Sequence, residues 1–168
     1  MSNNLSGLQR YINSLESKAR EIEQKTAELG QTTAQSIFDV EAPNYPGAQG
    51  YVNVTVEDGA KHGKAVVAAG PKVAFIEFGT GIMYPRWPGN RLPAGIVPHG
   101  WYGSGKGASP RGWIYKGEPG NGRYAKAVSK RAGRYWTKGN PPASAMYQAM
   151  RDMDEEAGSI AEEVFRRK

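Results

Sequence analysis

The longest hydrophobic pattern in the chain is a stripe in its first thirty residues. Apolar side chains recur there at intervals of three and four residues: Leu5, Leu8, Ile12, Leu15, Ala19, Ile22 and, past the polar Thr26, Leu29. A repeat of 3.5 residues places them along one face of an α-helix. The sequence therefore predicts a helix over residues 5–36, with Gly30 as the point where a break could fall. We expect this seam to pack on the protein's own sheet, and pairing as a coiled coil is the alternative.

Two strands are predicted next, after a turn cluster at residues 42–47 that ends the helix. Residues 51–57 alternate between polar side chains and three valines, Val52, Val54 and Val56. This alternation is typical of a half-buried strand. A turn at 58–63 then leads to a returning strand at 64–69. The apolar residues 73–78 are too few for periodicity to distinguish a helix from a strand.

Residues 79–140 form a segment of different composition. They hold 14 of the 22 glycines and all four tryptophans. Glycine at this density opposes long regular elements, but a wholly disordered linker seldom concentrates tryptophan. We therefore expect a long loop that becomes ordered on a partner, with short strands near 112–116 and 134–138.

A second helix is predicted at the C-terminal end of the chain. Pro141 and Pro142 introduce it, since proline suits a first helical turn. Its apolar stripe is spaced by four and three residues: Met146, Met150, Met153, Ala157, Ile160 and Val164. These methionines favour core or helix–helix contact over a ligand site. The predicted fold class is α+β, with a long N-terminal helix and a C-terminal helix packed on a small antiparallel sheet. We expect a single domain over 1–168, with a long Gly/Trp-rich loop insertion at 82–140.

The charge of the chain is unevenly distributed. Its formal net charge is +6, yet residues 80–140 carry +10 and the remainder carries −4. Such asymmetry indicates an electrostatic partner for the basic segment, either nucleic acid or an acidic protein surface. Aromatic residues lie among these cations: Tyr84, Trp87, Trp101, Tyr102, Trp113, Tyr115, Tyr124, Tyr135 and Trp136. This mixture suits both single-strand binding and protein–protein hot spots. We favour the second, because the aromatics lie among glycine turns rather than along one strand face.

Composition also limits the compartment and the class of protein. Mean hydropathy is −0.62, and no run approaches the roughly 18 apolar residues that a membrane span needs. The first residues lack the basic and apolar regions of a secretory signal. With zero cysteines, disulfides and thiolate sites are excluded, which fits a reducing cytoplasm. These features predict a soluble protein with no membrane partner.

Enzymatic chemistry finds little support in the sequence. Residues 100–107 nearly match a phosphate-binding loop around Lys106, but a glycine stands where the magnesium-binding hydroxyl belongs. His62 and His99 have no acid or nucleophile pattern beside them. Glu77 lacks a second acid or base at a suitable spacing. We expect it to cap or pair, either within the fold or across a subunit contact, and we predict no catalytic, cofactor-binding or metal-binding residues.

The order of several short motifs resembles the lambdoid-type phage neck or head–tail joining proteins. The resemblance covers most of the chain. It comprises a long N-terminal helix that runs into Ala-Pro at 42–43, the hairpin, Phe-Ile-Glu-Phe-Gly-Thr-Gly at 75–81 and Gly-Asn-Pro-Pro-Ala-Ser-Ala-Met at 139–146. Gly-Trp-Ile-Tyr at 112–115 and Tyr-Trp-Thr-Lys-Gly at 135–139 are similar to strands in relatives from phages of Gram-positive hosts. The chain departs from the family in having Asn-Tyr-Pro-Gly after its Ala-Pro turn, and in having Ala-Met where Pro-Phe-Met is common.

The resemblance implies a non-enzymatic ring subunit, a hexamer, in the neck of a virion. Its partners would be copies of itself, the head connector or head-closure proteins, and tail tube or tail terminator proteins, with assembly in the host cytoplasm. The expected subunit or partner interface comprises Phe75, Glu77, Phe78, Trp87, Trp101, Trp113, Tyr115, Trp136 and Met146. Genome DNA in the lumen would be contacted without sequence reading by Arg86, Arg91, Lys106 and Arg111. A tail terminator or tail-completion protein is the alternative in the same class, and a nucleic-acid-binding protein is the alternative in another class.

Overall fold

The computed structural model has three helices and five strands among the residues that it describes. It describes residues 2–44, 52–59, 63–70, 72–79, 112–116, 125–129, 131–137 and 139–167. The helices are α1 (Ser2–Glu41, followed by a 3₁₀ turn at Ala42–Asn44), α2 (Val73–Phe78) and α3 (Ala145–Arg166). The strands are β1 (Asn53–Asp58), β2 (Lys64–Ala69), β3 (Trp113–Lys116), β4 (Ala125–Ser129) and β5 (Arg134–Thr137). The predicted α+β class, with a long N-terminal helix and a C-terminal helix, is confirmed, and the antiparallel strands of the described residues form two small sheets where the sequence predicts one.

Helix α1 runs through Gly30 without a break. The glycine is buried where α1 approaches α3 and β2. A Cβ atom placed there would overlap the side chain of Met153 and lie 3.2 Å from Cγ2 of Val66. Glycine therefore serves a close approach of the elements at this point rather than a helix end. The helix ends at Glu41, at the turn cluster that the sequence predicts.

Helices α1 and α3 pack side by side in antiparallel directions. As the residue number increases along α1, from Lys18 through Lys25 to Thr33, the number of the contacted residue on α3 decreases. Thr33 Oγ1 donates to Asp152 Oδ2 at 3.1 Å, and Lys25 Nζ donates to Glu163 Oε1 at 3.0 Å. Lys18 Nζ lies 3.4 Å from the Phe165 carbonyl oxygen and 5.1 Å from the centre of its ring. The C-terminal end of α3 therefore lies beside Lys18, and α1 continues past it toward the N-terminus.

The ion pair between the two helices gives a pH prediction. The hydrogen bond from Lys25, followed by the charge of Arg167, holds the pKa of Glu163 below its ordinary value of 4.5. A carboxyl whose pKa is lower in the folded state contributes stability above its ordinary pKa, and this stability is lost as the pH falls through the folded value. Glu163→Gln should therefore show a smaller fall in thermal midpoint below about pH 5 than the native chain. Glu162→Gln is the matched control, because Glu162 pairs with Arg166 on its own helix. Equal acid sensitivity of the two variants would contradict the assignment.

Strands β1 and β2 form an antiparallel hairpin beside α1. Their register runs from Asn53 opposite Ala69 to Asp58 opposite Lys64, so both predicted strands are present. Two glutamines on successive turns of α1 bind the main chain of the first strand. Gln31 Nε2 donates to the Val54 carbonyl oxygen at 2.8 Å. Gln35 Oε1 accepts from Val54 N at 2.9 Å, and its Nε2 donates to the Val52 carbonyl oxygen at 3.2 Å. The glutamines thus satisfy main-chain groups that a sheet edge would leave unpaired.

The hydrophobic core lies where α1, α2, α3 and the hairpin meet. Its buried members are Ala34, Phe38, Ala42, Val54, Ile76, Ala145 and Ala149. Four of the seven are alanine, so the helices approach closely and the large side chains Phe38 and Ile76 fill the remaining space. Both are fully buried.

A second sheet lies within the segment that the sequence assigns to a loop insertion. Its strand order is β3-β5-β4, with antiparallel pairing and β5 in the centre. The two short strands predicted near 112–116 and 134–138 are confirmed. Strand β4 was not predicted, because Ala-Lys-Ala-Val-Ser has little hydrophobic alternation and lies in a glycine-rich context.

The start and the buried face of α3 differ from prediction. The helix begins at Ala145, three residues after the second proline. Its fully buried positions are Ala145, Ala149 and Val164, whereas Met150, which the predicted stripe includes, is 52% exposed. Since α1 presents Gly30 and Ala34 to the interior, small residues on α3 permit the close helix contact. Met146 packs against the core and Met153 lies against Gly30, so Met150 is the methionine of the stripe that faces outward.

Candidate functional site

Residues 75–78 of the Phe-Ile-Glu-Phe-Gly-Thr-Gly motif at 75–81, which we name the signature, lie on helix α2, and the structure describes the signature as far as Gly79. Ile76, Glu77 and Phe78 are all buried, and the ambiguity between helix and strand is resolved as a helix. Glu77 retains only 3% exposure. A carboxylate at such a depth needs hydrogen-bond donors, because burial of an unpaired charge is costly.

Those donors come from the first turn of α3. Glu77 Oε2 accepts from Met146 N at 2.9 Å, and Oε1 accepts from Tyr147 N at 3.2 Å. The residue at the N-cap position, Ser144, has φ 54° and ψ 38° and makes no capping hydrogen bond with its side chain. The first turn of α3 also contains no acidic residue. Glu77 therefore supplies from α2 the acceptor and the negative charge that a helix N-terminus favours.

Main-chain contacts complete this connection, which we name the Glu77 junction (α2, Gly79 and residues 143–147). Ala143 N donates to the Ile76 carbonyl oxygen at 2.8 Å, and Ser144 N donates to the Glu77 carbonyl oxygen at 3.2 Å. Gly79 then turns the chain at φ 81° and ψ −178°, a conformation that is essentially restricted to glycine. The Phe-Gly step in the signature is thus a geometric requirement of the junction.

The capping alternative for Glu77 is the one that the structure shows. Both carboxylate oxygens accept main-chain hydrogen bonds, so the group is committed to holding the start of α3. Sequence reasoning did not find the partner, which lies about seventy residues away. One signal was available: a single acid within an apolar run, and a final helix with no acidic residue in its first turn.

The other predicted interface residues fall in different parts of the chain. Phe75 and Met146 pack against the core as half-buried side chains, Phe78 is buried, and Trp136 on β5 is half-buried. Trp113 and Tyr115 lie on β3, of which the structure describes the backbone at these positions. The remainder lie outside the described residues: Trp87, Trp101, Arg86, Arg91, Lys106 and Arg111, together with His62, His99 and the phosphate-loop-like segment. Interface and DNA roles for all of these residues stay predictions.

An exposed apolar surface lies near the N-terminal end of α1, on side chains between Leu5 and Leu15. We name residues 2–17 of this helix the N-terminal arm. Its seam residues, the arm stripe, are Leu5, Leu8, Ile12 and Leu15, with exposures of 71, 57, 39 and 38%. Tyr11 beside them is 63% exposed. Further along α1 the same side of the helix faces α3, with Thr33 bonded to Asp152 and Gly30 close to Met153. The expectation that the seam packs on the protein's own sheet is therefore not met there, and it is wrong for the arm, which is exposed. The cause is length, because α3 ends beside Lys18 and the arm extends about 24 Å beyond it at about 1.5 Å per residue.

Three further features of the described ranges bear on function. No group of three or more His, Asp or Glu side chains among these residues is placed to hold a metal ion. None of their helices is long and apolar enough to cross a membrane. A shallow groove of about 520 Å³ lies along α3, lined by Met150, Met153 and Ala157 with Arg151 and Asp154.

Comparison of the chain with protein-family models, with curated proteins and with solved structures finds no match.

Proposed function

We propose that this chain is a structural subunit of a phage neck, forming a hexameric ring that joins the DNA-filled head connector to the tail tube. The observation that carries the proposal is the meeting of two motifs of the resemblance in one structural element. The 75–81 signature supplies Glu77 and Gly79, and the 139–146 motif supplies the N-terminus that Glu77 caps. Motifs that lie about seventy residues apart thus depend on each other physically.

The arm stripe supports an assembly role rather than a catalytic one. Contiguous exposed apolar side chains on a folded chain mark interaction surfaces. In the proposed ring, the packed helices and hairpin form the body of the subunit, while the N-terminal arm and the 82–140 segment reach neighbours. The interface anchors would be the aromatic residues of that segment, because large aromatic side chains contribute most to protein–protein contacts.

The basic charge of residues 80–140 fits the same position in the virion. Genome DNA passes through the lumen of a neck ring, and cations that contact phosphate bind it without reading its sequence. Arg86, Arg91, Lys106 and Arg111 are the proposed DNA-facing residues. The ring would act by geometry, so the proposed protein is not an enzyme.

An add-back assay tests the proposal. A lysate of the phage that encodes this chain, with the gene disrupted, would be mixed with the purified protein and assayed for infectious particles. The proposal predicts that the native protein restores infectivity, because the lysate would contain complete heads and complete tails that lack only the joining ring. Glu156→Ala, a change at an exposed position of α3, should restore it equally well. A lysate that stays non-infectious after addition of folded native protein would contradict a joining role.

Tail length distinguishes the neck-ring proposal from the tail-terminator alternative. A terminator stops growth of the tail tube, so tails in the disrupted lysate would be of irregular, excessive length if the chain is a tail terminator. Tails of uniform normal length support the neck ring.

The net charge of +10 on residues 80–140 favours nucleic-acid binding as the second candidate function. If binding is its main task, the purified protein should bind DNA in the absence of any head or tail component, with an affinity that falls steeply with salt. The neck proposal expects only weak, sequence-independent binding of this kind, with no function outside the virion.

A further inference from the structure

We propose that the arm stripe is covered by the same stripe of a second copy of this chain, with the two arms running parallel. The pairing itself is inferred from the described residues of α1. Its parallel orientation is inferred from the residues that flank the seam.

The stripe continues a face that α1 already uses for packing. Ile12 and Gly30 are 18 residues apart, as are Leu15 and Thr33, and this separation is about five turns of 3.6 residues. Gly30 contacts Met153, and Thr33 bonds Asp152, so this side of α1 faces α3. Beyond Lys18 the same side has no part of α3 beside it, although its residues remain large and apolar. The face is therefore suited to packing against a helix, and α3 is too short to cover it.

The spacing of the stripe specifies what kind of helix covers it. Intervals of three, four and three residues form a seam for knobs-into-holes packing, in which both helices carry the same 3.5-residue repeat. A second copy offers this repeat by identity. The seam also extends beyond the arm through Ala19, which is exposed.

The residues that flank the seam favour a parallel pair. One flank carries Tyr11 and Lys18, and the other carries Glu16 and Glu23. In a parallel pair these flanks of the two copies face each other, with Tyr11 opposite Glu16 and Lys18 opposite Glu23. Lys18 can make this contact, because an ammonium has three donors and its two hydrogen bonds within the chain are long, 3.4 Å each. An antiparallel pair would set like flank against like flank, so that no lysine faces a glutamate.

Disulfide trapping tests the pairing, and the chain suits it because it has no cysteine of its own. In a parallel, in-register pair the two copies of position 12 face each other across the seam, within the 4.4–6.8 Å Cα separation that a disulfide requires. Ile12→Cys should therefore convert mostly to a covalent dimer under mild oxidation. Ser17→Cys lies on the opposite side of the arm and is the matched control, which should form little disulfide-linked dimer.

Mixed samples establish the direction. Leu5→Cys and Leu15→Cys, one of them carrying a size tag, would be combined and oxidised. The proposal predicts dimers within each variant and few dimers between the two. Dimers chiefly between the variants would show antiparallel arms and overturn the proposal. Equal trapping of Ile12→Cys and Ser17→Cys would overturn it as well, because the contact would then be random.

A reversible measurement complements the trapping. Leu8→Lys combined with Ile12→Lys places two charges in the seam, and sedimentation should show association weakened by about 100-fold or more. Asn13→Lys combined with Ser17→Lys adds the same charge off the seam and should associate like the native chain. Unchanged thermal midpoints would show that both variants keep their fold. Equal association of the two double variants would contradict the proposal.

These tests use the purified chain alone, so they separate this inference from the neck proposal. Parallel arms in a protein that fails the add-back assay would leave the pairing standing and remove the neck role. An active joining protein whose arms do not pair would do the reverse.

Discussion

Glu77→Ala should lower the free energy of unfolding by about 3 kcal/mol, since hydrogen bonds to a charged group contribute about 1.5–3 kcal/mol. The variant removes the acceptor of Met146 N and Tyr147 N and leaves both donors at the start of α3 without it. It also removes a negative charge from a helix N-terminus, where partly buried geometries contribute up to about 2 kcal/mol. Urea unfolding followed by circular dichroism would measure the change.

Two controls make the Glu77 result specific. Glu77→Gln keeps the size of the side chain and one carbonyl oxygen, so about half of the loss should remain. Glu156→Ala removes an exposed carboxylate from the same helix that Glu77 caps, and its effect should stay within about 0.5 kcal/mol. A Glu77→Ala variant as stable as Glu156→Ala would show that the junction does not hold α3.

Phe38→Ala should destabilise the fold by about 3–5 kcal/mol, the range for removal of a buried phenylalanine. Phe38 is fully buried in the core cluster that also contains Ile76 and Val54. Most of its neighbours there are alanines, which cannot rearrange to fill the space, so the cavity should persist. Chemical unfolding would measure the loss.

The matched control for Phe38 lies two residues further along α1. Val40 is 69% exposed, so Val40→Ala should change stability by less than about 0.5 kcal/mol. Similar losses for the two variants would contradict the placement of the core on this face of the helix.

Local patterns predicted the elements that are long or that alternate cleanly. The 3.5-residue repeat predicted α1, and the valine alternation predicted β1, because each pattern follows from one element facing one apolar layer. Strand β4 escaped prediction, since its sequence carries no such alternation. The six residues of α2 were undecided for another reason: six residues are too few for periodicity to distinguish a helix from a strand.

Contacts between distant parts of the chain were beyond the reach of sequence patterns. The role of Glu77 depends on main-chain groups of α3, and the roles of Gln31 and Gln35 depend on the main chain of β1. Main-chain donors and acceptors are present at every position, so no residue type marks them as partners. The exposed arm stripe has another cause. Its pattern is that of a packed helix, and only the length of α3 shows that this helix does not cover it.

Electron microscopy of a lysate from the phage with this gene disrupted tests the central claim most directly. The neck proposal predicts DNA-filled heads and separate, finished tails of normal length, because each part matures without the ring that joins them. Normally joined virions in that lysate would contradict the proposal.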